Sequence, residues 1–323
     1  MIDHQQYMHR CLELASLGLG RVQPNPMVGA VLVVDGKIIG EGWHRRYGHA
    51  HAEVDALASV QNPELLRKAT MYVNLEPCSH FGKTPPCADA IIAAQIPKVV
   101  IANVDSNEKV NGTGIQKLKE AGIEVITGIL ENEGYELNKR FFTYHAKKRP
   151  YIILKWAQTR DGFMDILRLP NRAVEPYWIT NTQLRTIVHK WRSEEDAILI
   201  GYNTLVNDKP QLNTRLFPGK SPRRFVMKHS DQENTFCDGF DILPNHPEEA
   251  LKILYQQKIQ SIIIEGGYKT LSLFIESGLW DEARILIGNQ CWGDGAPAPC
   301  LHKEPDKEID VLHNKIQYVR RHL

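Results

Sequence analysis

Apolar positions along the chain fall into two successive series of alternating strand-like and helix-like segments. The first opens with an amphipathic helix, in which Tyr7, Cys11 and Leu14 recur at helical spacing with Met8, Leu12 and Ala15 beside them. Val28 to Val34 and Ile38 to Glu41 flank Asp35-Gly36 and read as a hairpin. A helix over 52–60, a strand from Thr70 to Asn74, a helix from Ala88 to Ala94 and a strand from Lys98 to Asn103 follow. A helix from Ile115 to Ala121, closed by Gly122, and a strand from Glu124 to Thr127 complete the series. This order predicts an α/β layer structure on a mixed sheet.

The basic, proline-ended run Ala146-Lys147-Lys148-Arg149-Pro150 reads as a linker, giving predicted domains of 1–146 and 150–323. Beyond it the pattern predicts strands at Tyr151 to Trp156, Ala197 to Ile200, Arg224 to Met227, Ser261 to Ile264 and Glu282 to Ile287. Helices are expected over 181–193, Pro247 to Gln256 and Thr270 to Ser277. Residues 216–245, rich in Pro, Gly, Asp and Asn, show little periodicity.

Composition narrows the function classes. A chain of 323 residues suits two domains, and 42% hydrophobic with 24% charged content is ordinary for a globular protein. The formal charge of +1, from 39 basic and 38 acidic side chains, gives no footprint for a nucleic-acid backbone. No membrane partner is expected, since no stretch approaches about 18 uninterrupted apolar residues. The N-terminus lacks the basic start and apolar core of a signal peptide, so a cytoplasmic location is expected. In that reducing compartment the six cysteines favour metal binding over disulfides.

Two short segments carry candidate chemistry: His51-Ala52-Glu53, and Pro77 to Cys87. A lone His or Cys is more often a packed core residue than a ligand. Together, however, His51, Cys78 and Cys87 supply three ligands for a zinc ion and leave its fourth position open, the arrangement of catalytic zinc. Glu53 is a carboxylate not needed as a ligand, suited to carry a proton from water to a departing amine. His-x-Glu followed by Pro-Cys and a second Cys is the signature of zinc deaminases of amino-pyrimidine and amino-purine rings. Cys87 is expected to open a helix whose N-terminal partial charge favours a thiolate.

In most such enzymes two residues separate the cysteines; here eight do, and they read Ser-His-Phe-Gly-Lys-Thr-Pro-Pro. With Pro24-Asn25-Pro26-Met27-Val28-Gly29 and Gly42-Trp43-His44, this stretch resembles the deaminase half of the bifunctional deaminase/reductases of riboflavin biosynthesis. From Arg149 onward the chain resembles the reductase half. The matching pieces include Leu154-Lys155, Asp161-Gly162, Trp178-Ile179-Thr180, Asp196 to Gly201 and Glu265-Gly266-Gly267.

The resemblance implies a cytidine-deaminase-like α/β/α zinc domain followed by a dihydrofolate-reductase-like α/β domain that uses NADPH. The first would deaminate 2,5-diamino-6-ribosylamino-4(3H)-pyrimidinone 5′-phosphate, and the second would reduce the ribosyl side chain to ribityl. It also implies a homo-oligomer, dimer or tetramer. By matching position, Asn25, His44, His80, Lys83, Thr84, Asp105 and Asn107 would bind the deaminase substrate, with His44 and His80 as donors and Lys83 and Thr84 on its phosphate. Arg192, Arg215 and Glu265 would bind the reductase substrate, the two arginines reaching its phosphate. Gln158, Trp178, Thr204, Asp208, Leu212 and Gly267 would contact NADPH.

Several positions depart from the family pattern. Ser106 and Glu108 stand where prolines are usual, Gln158 replaces an alanine, and Pro176 replaces a substrate-binding serine. Lys228-His229 replaces a strand-ending Asp-Ser. An alternative therefore stands beside the bifunctional reading: an active deaminase carrying a degenerate reductase domain.

Overall fold

Every residue of strand β1 (Gly29–Val34) is buried, because both its faces are covered. Ala30, Leu32 and Val34 pack to one side and Val31 and Val33 to the other, as the two-residue period of a strand requires. On the first side lie helices α2 (Ala52–Ala58), α3 (Cys87–Ala93) and α4 (Thr113–Glu120), contributing Ala52, Ala56, Ile91 and Leu118. On the second side α1 (His4–Ser16) contributes Tyr7, Met8, Cys11 and Leu14. Between these layers the sheet runs β2-β1-β3-β4-β5, with β2 at Lys37–Trp43, β3 at Thr70–Leu75, β4 at Lys98–Asn103 and β5 at Glu124–Thr127. Strand β1 is antiparallel to β2 and β3, whereas β3, β4 and β5 run parallel. The predicted mixed sheet is therefore present.

Helices α5 (Glu131–Leu137) and α6 (Lys139–Lys147) have no counterpart among the predicted elements. Phe141 and Phe142 of α6 pack on Leu75, at the end of β3.

The structure is a computed structural model and describes residues 3–81, 85–107, 110–166, 178–233 and 237–321. It divides into two units, Met1–Lys148 and Arg149–Leu323.

The second unit is built on an eight-stranded sheet. Its strands are β6 (Tyr151–Gln158), β8 (Ala197–Gly201), β9 (Arg223–Lys228), β10 (Asp241–Pro244), β11 (Ser261–Ile264), β12 (Glu282–Ile287), β14 (Lys307–Val311) and β15 (Asn314–Arg320). Their order is β10-β9-β8-β11-β6-β12-β15-β14, parallel except where β15 pairs with β12 and β14. A separate pair joins β7 (Phe163–Asp165) to β13 (Ala296–Pro297). Helices α9 (Pro247–Gln256) and α10 (Tyr268–Glu276) cover one face through Leu251, Leu254, Leu271 and Phe274. Helix α7 (Thr182–Glu194), started by an Asn181 side chain that accepts from the Leu184 N–H at 2.9 Å, covers the other through Leu184, Val188 and Trp191. Helix α8 (Tyr202–Asp208) follows β8 directly, as α10 follows β11 across Gly266-Gly267. Among the described residues no helix is long and apolar enough to cross a membrane.

Candidate active sites

His51, Glu53, Cys78 and Cys87 arrive from two helix starts and one loop. His51 is the residue preceding α2, Glu53 lies in its first turn, and Cys87 opens α3, as the sequence predicted. A Cβ on Gly42 would meet the backbone of Ala52 and Ala56, so only glycine lets α2 lie this close to β2. The Cys78 loop is tied to α3 by the Ala88 N–H on Cys78 O at 3.1 Å and the Cys87 N–H on Cys78 Sγ at 3.3 Å.

The ligand atoms of His51, Cys78 and Cys87 lie within 4.8 Å of one another. His51 Nδ1 is 3.2 Å from Cys87 Sγ and 3.7 Å from Cys78 Sγ. Tetrahedral zinc, with Zn–S of about 2.3 Å and Zn–N of about 2.0 Å, sets N···S at roughly 3.5 Å. The measured pair straddles that value, so the donor set fits zinc in both geometry and chemistry. Hydrogen bonding from Cys87, then from His51, draws the Cys78 thiol down to about 4 against the effect of burial. The same contact and burial hold the Cys87 thiol up. Glu53 is buried; burial, with Cys78 beside it, raises its carboxyl to about 7.

Around the cluster the polar groups are ordered by pairing. His44 Nδ1 faces the Ala50 carbonyl at 2.9 Å and must donate to it, so its Nε2 accepts from Asn25 Nδ2 at 3.1 Å. Burial lowers the pKa of His44, in keeping with a neutral ring. His44 was expected to donate to substrate; with both nitrogens engaged, it instead orients Asn25. The strand leading from Asn25 is clamped by two amides, Asn74 and Asn138, which together bond Met27 N, Met27 O and Gly29 N at 2.8 to 3.1 Å.

Asp105 is buried and its carboxylate accepts from the Asn107 N–H at 2.7 Å; burial first, then Glu76, raises its pKa to about 6. His80 is exposed, and Lys83 and Thr84 lie outside the described residues. Sequence reasoning missed Glu76. Its buried carboxylate accepts the N–H groups of Asp105, Gly112, Gly114 and Ile115 at 2.9 to 3.1 Å, tying the Asp105 loop and the start of α4 to the end of β3. These bonds fix Asp105 and Gly112 in place. The one available signal was an acid directly after a buried strand, in Val73-Asn74-Leu75-Glu76-Pro77.

In the second unit Glu265 stands at the end of β11 and binds two cations. Arg192 donates through Nε and Nη2 at 2.9 and 2.8 Å, and Lys155 through Nζ at 3.3 Å. Burial works to raise the Glu265 carboxyl, but Arg192 and Lys155 outweigh it and bring it to about 2. Arg192 also donates to Asn213 O at 3.3 Å. The sequence assigned this guanidinium to a phosphate; its fork is spent on Glu265 instead. Arg215 is exposed and bonds the Asn213 side chain at 2.9 Å, leaving most of its donors uncommitted among the described residues.

Thr204 and Gly267, separated by 63 positions, meet where the Gly267 N–H donates to Thr204 Oγ1 at 3.2 Å. A Cβ on Gly266 would overlap Thr270, and the first turn of α10 carries no side-chain cap. Such an open helix start after a parallel strand fits a cofactor phosphate. Trp178 is 56% exposed with Arg185 stacked 4.4 Å above its ring, and Asp208 is exposed at the end of α8. Two other residues assigned to the cofactor have side-chain atoms engaged within the fold. The Leu212 side chain is buried with Ile198, Ile200 and Val226, so only its backbone can face a ligand, and Gln158 Oε1 accepts from Trp156 Nε1 at 2.7 Å. Lys228 is buried, its ammonium bonding the carbonyls of His229 and Gln232, and Pro176 lies outside the described residues.

Fold and site together define a zinc-dependent deaminase joined in one chain to an NADPH-dependent reductase. A family model described as the cytidine and deoxycytidylate deaminase zinc-binding region matches residues 1–103, and one described as the RibD C-terminal domain matches residues 150–320. The riboflavin biosynthesis protein RibD of Aquifex aeolicus is 38% identical, over 90% of this chain and 88% of the relative. The structure of Acinetobacter baumannii RibD aligns with a TM-score of 0.87 at 32% identity, covering 98% of each chain. A Thermotoga maritima structure, titled diaminohydroxyphosphoribosylaminopyrimidine deaminase/5-amino-6-(5-phosphoribosylamino)uracil reductase, aligns with a TM-score of 0.84 at 35% identity, covering 98% of each chain. The chain belongs to the RibD family, the bifunctional deaminase/reductases of riboflavin biosynthesis. The degenerate-reductase alternative is not favoured.

Proposed function

We propose that residues 1–146 deaminate 2,5-diamino-6-ribosylamino-4(3H)-pyrimidinone 5′-phosphate and that residues 150–323 reduce the product's ribosyl side chain to ribityl. The observation that carries the first step is the His51, Cys78 and Cys87 trio with a buried, non-ligating Glu53 beside it. These three residues would hold zinc, which when bound supplies a Lewis acid that makes water nucleophilic near neutral pH. The Glu53 carboxylate takes a proton from the attacking water and delivers it to the departing amine, so that ammonia leaves and a ring carbonyl remains. Asn25, oriented by His44, keeps its amide oxygen for the substrate, and Asp105 and Asn107 present polar groups from the loop that Glu76 fixes. Lys83 and Thr84 supply a cation and a hydroxyl for the phosphate.

In the second step NADPH, when bound, supplies the hydride. Gly267, the start of α10 and Thr204 would hold its phosphates, and Trp178 would contact it. Arg215 reaches the substrate phosphate, and the Arg192–Glu265–Lys155 cluster orients the sugar end. The ribose ring opens first, the C1′–O4′ bond breaking as the amine proton passes to O4′ and a C1′=N imine forms; hydride would then arrive at C1′ and a proton at the imine nitrogen, giving the ribitylamino product.

Six unpaired cysteines suit the reducing cytoplasm, and the reading includes a homo-oligomer, dimer or tetramer, which sedimentation of the purified protein would test. The test of the zinc step is ammonia release from the named substrate by purified protein. Removal of metal with 1,10-phenanthroline should abolish it and added zinc should restore it. Full activity in metal-free protein would overturn the assignment.

A further inference from the structure

Arg185, His189 and Arg192 follow one another on α7 at spacings of four and three residues, forming one stripe of one helix face. Both ends of the stripe touch residues of the reductase site: Arg185 stacks on Trp178, and Arg192 grips Glu265. Between them His189 is 4% exposed, and its Nδ1 has no hydrogen-bond partner among the described residues. A buried polar nitrogen left unpaired is unfavourable, and its persistence in a site calls for a ligand.

The chemistry of its neighbours indicates what that ligand offers. Burial, then the charges of Arg192 and Arg215, bring His189 down to about 4, so the ring is neutral near pH 7. Arginine side chains only donate hydrogen bonds, and both Glu265 oxygens are already engaged by Arg192 and Lys155. A sugar hydroxyl must donate as well as accept. The His189 ring also donates to the Asn213 backbone carbonyl, which leaves Nδ1 of the neutral imidazole as a side-chain nitrogen in this cluster able to accept from that hydroxyl.

We propose that His189 is a substrate-binding residue of the reductase, hydrogen-bonded through Nδ1 to a hydroxyl of the phosphorylated sugar chain being reduced. This rests on the reading of the second unit as the reductase of a ribosylaminopyrimidine. The binding is specific to the sugar substrate and leaves NADPH contacts alone.

The test is steady-state NADPH oxidation by the full chain, supplied with the deaminated intermediate. His189→Phe should raise KM for the intermediate about tenfold, the scale of one lost buried hydrogen bond, with KM for NADPH unchanged. His189→Asn places an amide near the Nδ1 position and should recover most of that loss. An unchanged KM in His189→Phe overturns the proposal, and so does His189→Asn as impaired as His189→Phe at wild-type thermal stability. If His189→Phe does not fold, wild-type protein with labelled histidine decides. The intermediate, added with NADP⁺, must shift the His189 ring ¹⁵N resonance, and no shift overturns the proposal. A wild-type enzyme that oxidises no NADPH would instead overturn the reductase reading itself.

Discussion

Glu53 and Cys78 share one cluster but act differently, and substitution separates them. Glu53→Gln should keep one zinc per chain while ammonia release falls by about 10²–10⁴-fold, the range for loss of a general acid–base. Cys78→Ala should lose metal and activity together. Zinc content measured on both variants checks this, and metal loss in Glu53→Gln matching that in Cys78→Ala would contradict the assignment. Glu265 gives a pH signature. Its folded pKa, about 2, lies below the ordinary 4.5, so its contribution to stability is complete above pH 4.5 and fades as pH falls towards 2. Glu265→Gln should cost about 3 kcal/mol at pH 7 and flatten this dependence. Tryptophan fluorescence reads it, since every tryptophan except Trp43 lies in the second unit. At this scale the zinc residues were legible because their chemistry is written in local spacing. Glu76, the His44–Asn25 pair and the Arg192–Glu265 fork were not, because their partners are backbone amides or side chains distant in sequence.

At the scale of elements, the zinc site depends on how closely α2 seats on β2. Gly42→Ala would force that helix outward, since an added Cβ meets its backbone. The expected cost is about 1–3 kcal/mol of stability, together with weaker zinc retention, read by thermal unfolding and metal analysis. The core strands and the helices between them were legible, since β1, β3, β4, β6, β8, β11 and β12 each carry a run of at least three apolar residues between turn signals. The β14–β15 hairpin escaped for a physical reason. Its two-residue turn is Leu312-His313, both at positive φ, where the usual signal would be Asn-Gly. Helices α5 and α6 escaped because Asn138 breaks their apolar period, and its side chain is used to clamp Met27.

At the scale of the molecule, two sheets with separate cores carry two chemistries that need different helpers, a metal in one unit and a nicotinamide in the other. The departures from the family pattern fall mostly in the second unit. There Lys228 is absorbed into its own turn, and the Glu265 cluster and the Gly267–Thr204 contact are in place. The most direct test of the whole account follows ammonia and NADPH together in one reaction of the purified full-length protein with the diamino substrate. NADPH oxidation should begin only after ammonia appears and should approach one equivalent per ammonia released. Ammonia release with no NADPH oxidation, even when the deaminated intermediate is supplied directly, would contradict it.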